Sequence, residues 1–298
     1  MTDSIQILKW LSYFDVFQHP LTFEELGKLC STTPENIETK VGNLVSENRC
    51  FVSENYVSIN KDVNALTKER KYKEGEAKKY FDKLPRYVRL IRKFPFVKGI
   101  AISGSLSKNV MYEDGDVDYF IITQENRMWL CRTLLILFKK IILLNSRKYF
   151  CLNYFVDEKN LKIRDQNIFT AVEIAYLLPV YNNEIFQELK MQNQWVDNFI
   201  PQIDLDISTV LLEKRKRLNF LERVLNKNLG EKLDIYFMKL TYKRWQRKFS
   251  NFPKVKFDQT MRSERGVSKH HPKDFQNTVL STYEMKLKTL NIQDEVII

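Results

Sequence analysis

The sequence predicts an α/β protein of the α+β kind, with a small mixed sheet at its centre and helical segments on both sides. Three observations carry this expectation. Two apolar runs, residues 97–102 and 119–122, have strand length and are separated by Gly104-Ser105 and a short polar stretch. A third run, residues 149–156, is rich in aromatics and follows a helical segment. Elsewhere apolar residues recur every three or four positions, as in helices with one buried face.

A chain of 298 residues, 44% hydrophobic and 29% charged, is globular in composition and long enough for more than one core. We divide it into residues 1–61, 62–180 and 181–298. Cys30, Cys50, Cys131 and Cys151 show no C-x-x-C spacing and sit in apolar contexts, which points to a reduced, cytoplasmic protein. The opening MTDSIQILKW lacks a basic region followed by an unbroken apolar core, so no secretory signal is expected. Residues 129–144 are the most apolar stretch. Arg132, Lys139 and Lys140 interrupt it, and a membrane span needs roughly 18 apolar residues, so it reads as a buried helix and no membrane partner is expected. Net charge is +11, unevenly placed. Residues 1–60 carry eight acids against four bases, and residues 211–273 eighteen bases against six acids, so an anionic ligand is steered toward the C-terminal third.

Taken in order, Ile5, Leu8, Leu11 and Phe14 mark a first helix that His19-Pro20 ends. Thr22 with Glu25 forms a capping box for a second, and Thr33-Pro34 opens a third with Ile37, Val41, Leu44 and Val45 as its apolar face. Residues 50–59, turning at Glu54-Asn55, read as a hairpin. Three helices and a hairpin resemble a winged helix, whose third helix enters the DNA major groove. Here that helix carries Glu35, Glu38 and Glu47 against Lys40, and an acidic reading surface argues against duplex DNA. A docking or dimerisation module fits better. Residues 62–93 read as a helix that packs on the sheet through Leu84, Val88, Leu90 and Ile91, its many charges forming a solvated face.

Residues 105–110 are expected to be helical, with unpaired first amides, Ser105 Oγ and Lys108 available to an anion. If residues 116–122 are extended, the two-residue period puts Asp116 and Asp118 on one face. Two such carboxylates need a cation or a shared proton. A calcium-loop reading of Asp114, Asp116, Asp118, Ile121 and Glu125 fails at its sixth position, where Tyr119 stands in place of the required glycine.

The order apolar strand, Gly104-Ser105, ten-residue spacer, Asp116-Val117-Asp118 and second apolar strand resembles the core of the DNA polymerase β-like nucleotidyltransferase superfamily. The resemblance covers residues 97–156. It implies a nucleoside triphosphate seated by Gly104, Ser105 and Lys108, and Mg²⁺ or Mn²⁺ held by Asp116 and Asp118. It further implies transfer of a nucleoside monophosphate to a hydroxyl acceptor, with release of pyrophosphate. The acceptor, whether small molecule, protein or RNA, stays open. Active members usually supply a third carboxylate from the next strand. Asn153 aligns there, with Asp157 and Glu173 as possible substitutes, so a non-catalytic nucleotide- or protein-binding member and a winged-helix regulator remain as alternatives.

Residues 167–178 read as a helix ended by Pro179, and residues 183–249 as mostly helical, with Leu211, Leu218, Leu221, Val224 and Leu225 apolar, residues 214–217 an exposed basic run and residues 226–230 a helix end and turn. Tyr236, Tyr242 and Trp245 interleave with Lys239, Lys243, Arg244 and Arg247, a pattern that can stack a base but more often serves core packing and a wet face. Residues 251–272 are expected to be a basic surface loop, with folding back over the cleft as the alternative. Residues 279–290 close as a helix.

Overall fold

Side chains mark the early helix starts, as the sequence requires. Thr22 Oγ1 accepts the Glu25 N–H at 3.1 Å while Glu25 Oε2 accepts the Thr22 N–H at 2.8 Å, and Thr33 accepts the Asn36 N–H at 3.4 Å. The computed structural model describes residues 2–146, 148–200 and 220–292. Expected features at Leu211, Leu218 and residues 214–217 lie outside the described residues.

The first sixty residues form α1 (Thr2–Asp15), β1 (Leu21–Thr22), α2 (Phe23–Leu29), α3 (Pro34–Ser46), β2 (Phe51–Ser53) and β3 (Tyr56–Ser58). The strands make a three-stranded antiparallel sheet in the order β1-β3-β2. Ile37, Val41 and Leu44 are buried as expected, whereas Val45 faces outward. The long helix α4 (Val63–Ile91) follows. Its charges are not all solvated: Arg70, Lys73 and Glu76 are buried. Arg70 binds Glu25 Oε1 at 2.6 Å and Glu74 Oε1 at 2.9 Å, and also donates to the Pro20 carbonyl, locking α4 to the start of α2.

The central sheet is built from β4 (Val97–Ser103), β5 (Asp118–Thr123), β6 (Cys151–Asp157), β7 (Leu178–Tyr181), β8 (Ser263–Glu264) and β9 (Val267–Lys269), with α5 (Met128–Ile141) crossing between β5 and β6. The order is β7-β4-β5-β6-β9-β8; only β5 and β6 are parallel. Side-chain alternation divides two cores. Ile100, Ile102, Tyr119 and Ile121 face α4 and α5, while Ala101, Phe120 and Ile122 face the layer of α1, α6 (Ile168–Ala175), α7 (Asn183–Gln192) and α11 (Phe275–Thr289).

Five expectations are corrected. The helix expected over residues 167–178 stops at Ala175, and Pro179 instead lies in β7, an edge strand where its missing N–H costs no ladder bond. Helix α5 is shorter than the expected apolar stretch and buries one face: Leu137 and Ile141 are exposed, as are Ile142 and Leu144 beyond it. Helix α8 (Phe220–Leu225) has the opposite phase, exposing Leu221 and Val224 and burying Glu222, which accepts the Phe96 N–H at 2.7 Å. Its end is followed at once by α9 (Asn228–Lys248), so Gly230 lies inside a helix. Residues 251–272 are not a loop, because they form α10 (Lys254–Thr260) and the strands β8 and β9.

Candidate active site

The end of β4 and the start of β5 meet at Ser103, paired with Asp118. Gly104 then turns the chain with φ +70°, and a Cβ there would stand 2.9 Å from Asp118 Oδ2. Only glycine meets both demands without strain, the left-handed backbone and the close carboxylate. The helix expected from residue 105 is reduced to one 3₁₀ turn, Leu106–Lys108, closed by Asn109 at φ 56°.

Asp118 opens β5 and shares the sheet face of Phe120 and Ile122. Asp116 lies just outside the strand, whose start is two residues later than expected. The lead-in is still ordered by backbone bonds, Val117 N–H to Lys148 O at 2.9 Å and Cys151 N–H to Val117 O at 3.1 Å. Gly104, Ser105, Asp116, Asp118 and Asn153 all line one cavity of about 500 Å³. Asn153 is the extra residue where the β5–β6 register shifts, and this bulge aims its amide at Asp118 Oδ1, 2.7 Å away.

The two other third-position candidates separate. Asp157 pairs with Thr123 at the far end of β5 from Asp118. It is buried and accepts from the Lys159 N–H at 3.0 Å and Asn160 Nδ2 at 2.7 Å, so it shapes a turn and does not reach the site. Glu173, on α6, lines the cavity. Its Oε1 receives Lys108 Nζ at 2.8 Å and its Oε2 the Gly104 N–H at 3.3 Å. Lys108, expected as a free phosphate ligand, is thus ion-paired, and it also donates to Gly104 O at 3.1 Å.

Burial pushes the Asp118 carboxyl up to about 6; Glu173 and Asp116 add to the rise, while hydrogen bonds from the Cys151 thiol and the Asn153 amide oppose it. Among the causes that shift Asp118 there is no neighbouring cation. Hard oxygen donors in that condition suit Mg²⁺ or Mn²⁺, and Asp116 and Asp118 are the residues that would hold the ion. Among the described residues no third His, Cys, Asp or Glu completes a metal-binding cluster with them.

The cavity's remaining walls come partly from Gln259, Thr260 and residues 269–272, as the alternative reading of that segment as folded back over the cleft had it, and partly from α6 and residues 273–277, which sequence reasoning did not assign to it. Phe120, Tyr154, Ile163 and Phe169 give the lining apolar surface, and residues 269–277 line it as well. That placement follows from β9 pairing with β6, extended by His270 N–H to Asn153 O at 3.1 Å. Burial alone would raise Asp165, but Lys269 and Arg262, each at 2.8 Å, hold it below the usual carboxylate range. Burial, helped by Lys269, pushes His271 down to about 4, so it is neutral near pH 7. Trp245 is packed against Trp129, Arg132 and His270, while Tyr236 and Tyr242 are exposed. The aromatic–basic interleaving therefore serves core packing at Trp245.

Neither models of known protein families, nor curated proteins, nor solved structures match this chain. No helix among the described residues is long and apolar enough to cross a membrane.

Proposed function

We propose that the protein is a nucleotidyltransferase that moves a nucleoside monophosphate from a nucleoside triphosphate to a hydroxyl acceptor and releases pyrophosphate. The observation that supports this most is the Gly104 turn seated against Asp118, because it joins amide donors and a carboxylate pair in the lining of one cavity. On this reading the turn at Gly104-Ser105 and the Lys108 ammonium seat phosphate oxygens, and Asp116 and Asp118 hold Mg²⁺ or Mn²⁺. The bound ion would supply neutralising charge to the triphosphate. The cavity orients the acceptor in line with the α-phosphorus and limits water. The acceptor oxygen bonds to phosphorus as the α–β bridging bond breaks, and the hydroxyl proton leaves to water. The β4–β6 unit serves as the nucleotidyltransferase core, and residues 1–61 as a winged-helix-like docking module.

A second reading, a nucleotide-binding member without turnover, is favoured by Asn153, whose amide occupies the expected third carboxylate position and donates to Asp118. Pyrophosphate release from the four common nucleoside triphosphates, with Mg²⁺ and a cell extract as acceptor source, separates the two. Release that disappears in Asp116→Ala and in Asp118→Ala supports transfer; nucleotide binding without release supports the second reading. Undiminished release in the double substitution sinks the catalytic assignment.

A further inference from the structure

We infer that Glu173 occupies the phosphate seat as an internal anion, so that a ligand's phosphate group and the Glu173 carboxylate exclude each other, and only a polyanionic phosphate displaces it. The inference rests on the proposed use of Gly104, Ser105 and Lys108 as that seat, and adds what competes for it.

Glu173 is the sole charged residue of α6, whose Ala171, Val172, Ile174 and Ala175 are buried. The carboxylate spreads its two oxygens over two different donors, Lys108 Nζ at 2.8 Å and the Gly104 N–H at 3.3 Å. A phosphate bridging the same ammonium and amide would use two of its oxygens in the same way. The cation is fixed independently of its partner: Lys108 also donates to Gly104 O at 3.1 Å and lies 5.4 Å from the centre of the Tyr176 ring. The donors are therefore held in place, and the replaceable member is the side chain from α6. Glu173 is still 29% exposed at the cavity wall, which leaves a path for its exit.

Competition of this kind lowers apparent affinity by the fraction of molecules whose seat is free. A singly charged ligand gains little over the resident carboxylate. A triphosphate brings more charge and a second point of attachment beside Asp116 and Asp118. Glu173 is thus a specificity-determining residue, selecting for ligand charge.

Isothermal titration of tripolyphosphate with Mg²⁺ tests this without requiring turnover. Glu173→Gln is expected to bind at least about tenfold more tightly than wild type. Asp258→Asn removes an exposed charge next to Gln259 and Thr260 of the cavity wall without touching the seat, and should change affinity by less than about threefold. Lys108→Met should abolish binding. Equal gains in Glu173→Gln and Asp258→Asn would show a general field effect and overturn the inference. So would affinity in Glu173→Gln no better than wild type, or absence of binding in every form. Glu173→Ala, with the same expectation, serves if the glutamine variant does not fold. Pyrophosphate release and its dependence on Asp116 and Asp118 are measured separately, so failure of seat competition and failure of the transfer reading give different results.

Discussion

Asn153 donates its side-chain amide to Asp118 Oδ1 across 2.7 Å, from the bulge that interrupts the β5–β6 register. The amide compensates a carboxylate that burial and two neighbouring acids disfavour. Asn153→Asp replaces this donor by a further acceptor. In EDTA the variant should lose about 1–3 kcal/mol of stability, and Mg²⁺ should restore most of it. Thermal denaturation with and without Mg²⁺ reads both, and an unchanged melting temperature in EDTA refutes the prediction.

Asp118 itself opposes folding at neutral pH. Its folded-state value, about 6, lies above the ordinary 3.8, so the native state holds the proton longer than the unfolded chain. The resulting penalty grows as pH rises from about 4 to about 6 and is complete above that window. Asp118→Asn should therefore be more stable than wild type at pH 7 by on the order of 2 kcal/mol, with little difference at pH 4. Urea denaturation at the two pH values measures it.

Arg70, 5% exposed at its side chain, joins Glu25 and Glu74. Burial would raise Glu25, but its hydrogen bonds and charge pairing with Arg70 hold it below its ordinary value. Its contribution is present above the ordinary 4.5 and lost as pH falls through the folded-state value. Arg70→Met should cost about 3 kcal/mol at pH 7 by leaving Glu25 partly buried and unpaired. The gap to wild type should narrow in acid. A constant gap across pH would mean that packing, not charge, accounts for the loss.

Gly104→Ala places a Cβ at φ +70°, 2.9 Å from Asp118 Oδ2. We expect a loss of about 1–2 kcal/mol from the backbone. We also expect weaker Mg²⁺-dependent nucleotide binding as the carboxylate shifts. Binding equal to wild type would separate the turn from the site.

Local chemistry made much of this fold readable. The Thr22–Glu25 box, the Thr33-Pro34 start and the Gly104 turn each act through residues within a few positions, and all appear where the sequence puts them. Asp116, Asp118 and Asn153 reach one cavity because two neighbouring strands carry them. What was hidden depends on distant partners. Strand β9 is three residues long and exists by pairing with β6, so no local period announces it. With it came the wall of residues 269–277, of which the reading of residues 251–272 admitted the first part only as an alternative. Pro179 signals a break in any local reading, yet an edge position admits it. Glu222 in α8 is buried because the Phe96 N–H, 126 positions away, needs an acceptor. The capture of Lys108 by Glu173 likewise spans 65 positions.

Helix α11 lies against α1, where Tyr283 meets Tyr13 edge-on with ring centroids 5.6 Å apart, and Lys286 reaches Asp15 across 271 positions. Helix α1 therefore waits for α11, far later in the chain, before its apolar flank is covered. Loop closure over that span is slow relative to the local helices and hairpin. Until α11 has been synthesised, α1 carries an open flank that chaperones can hold.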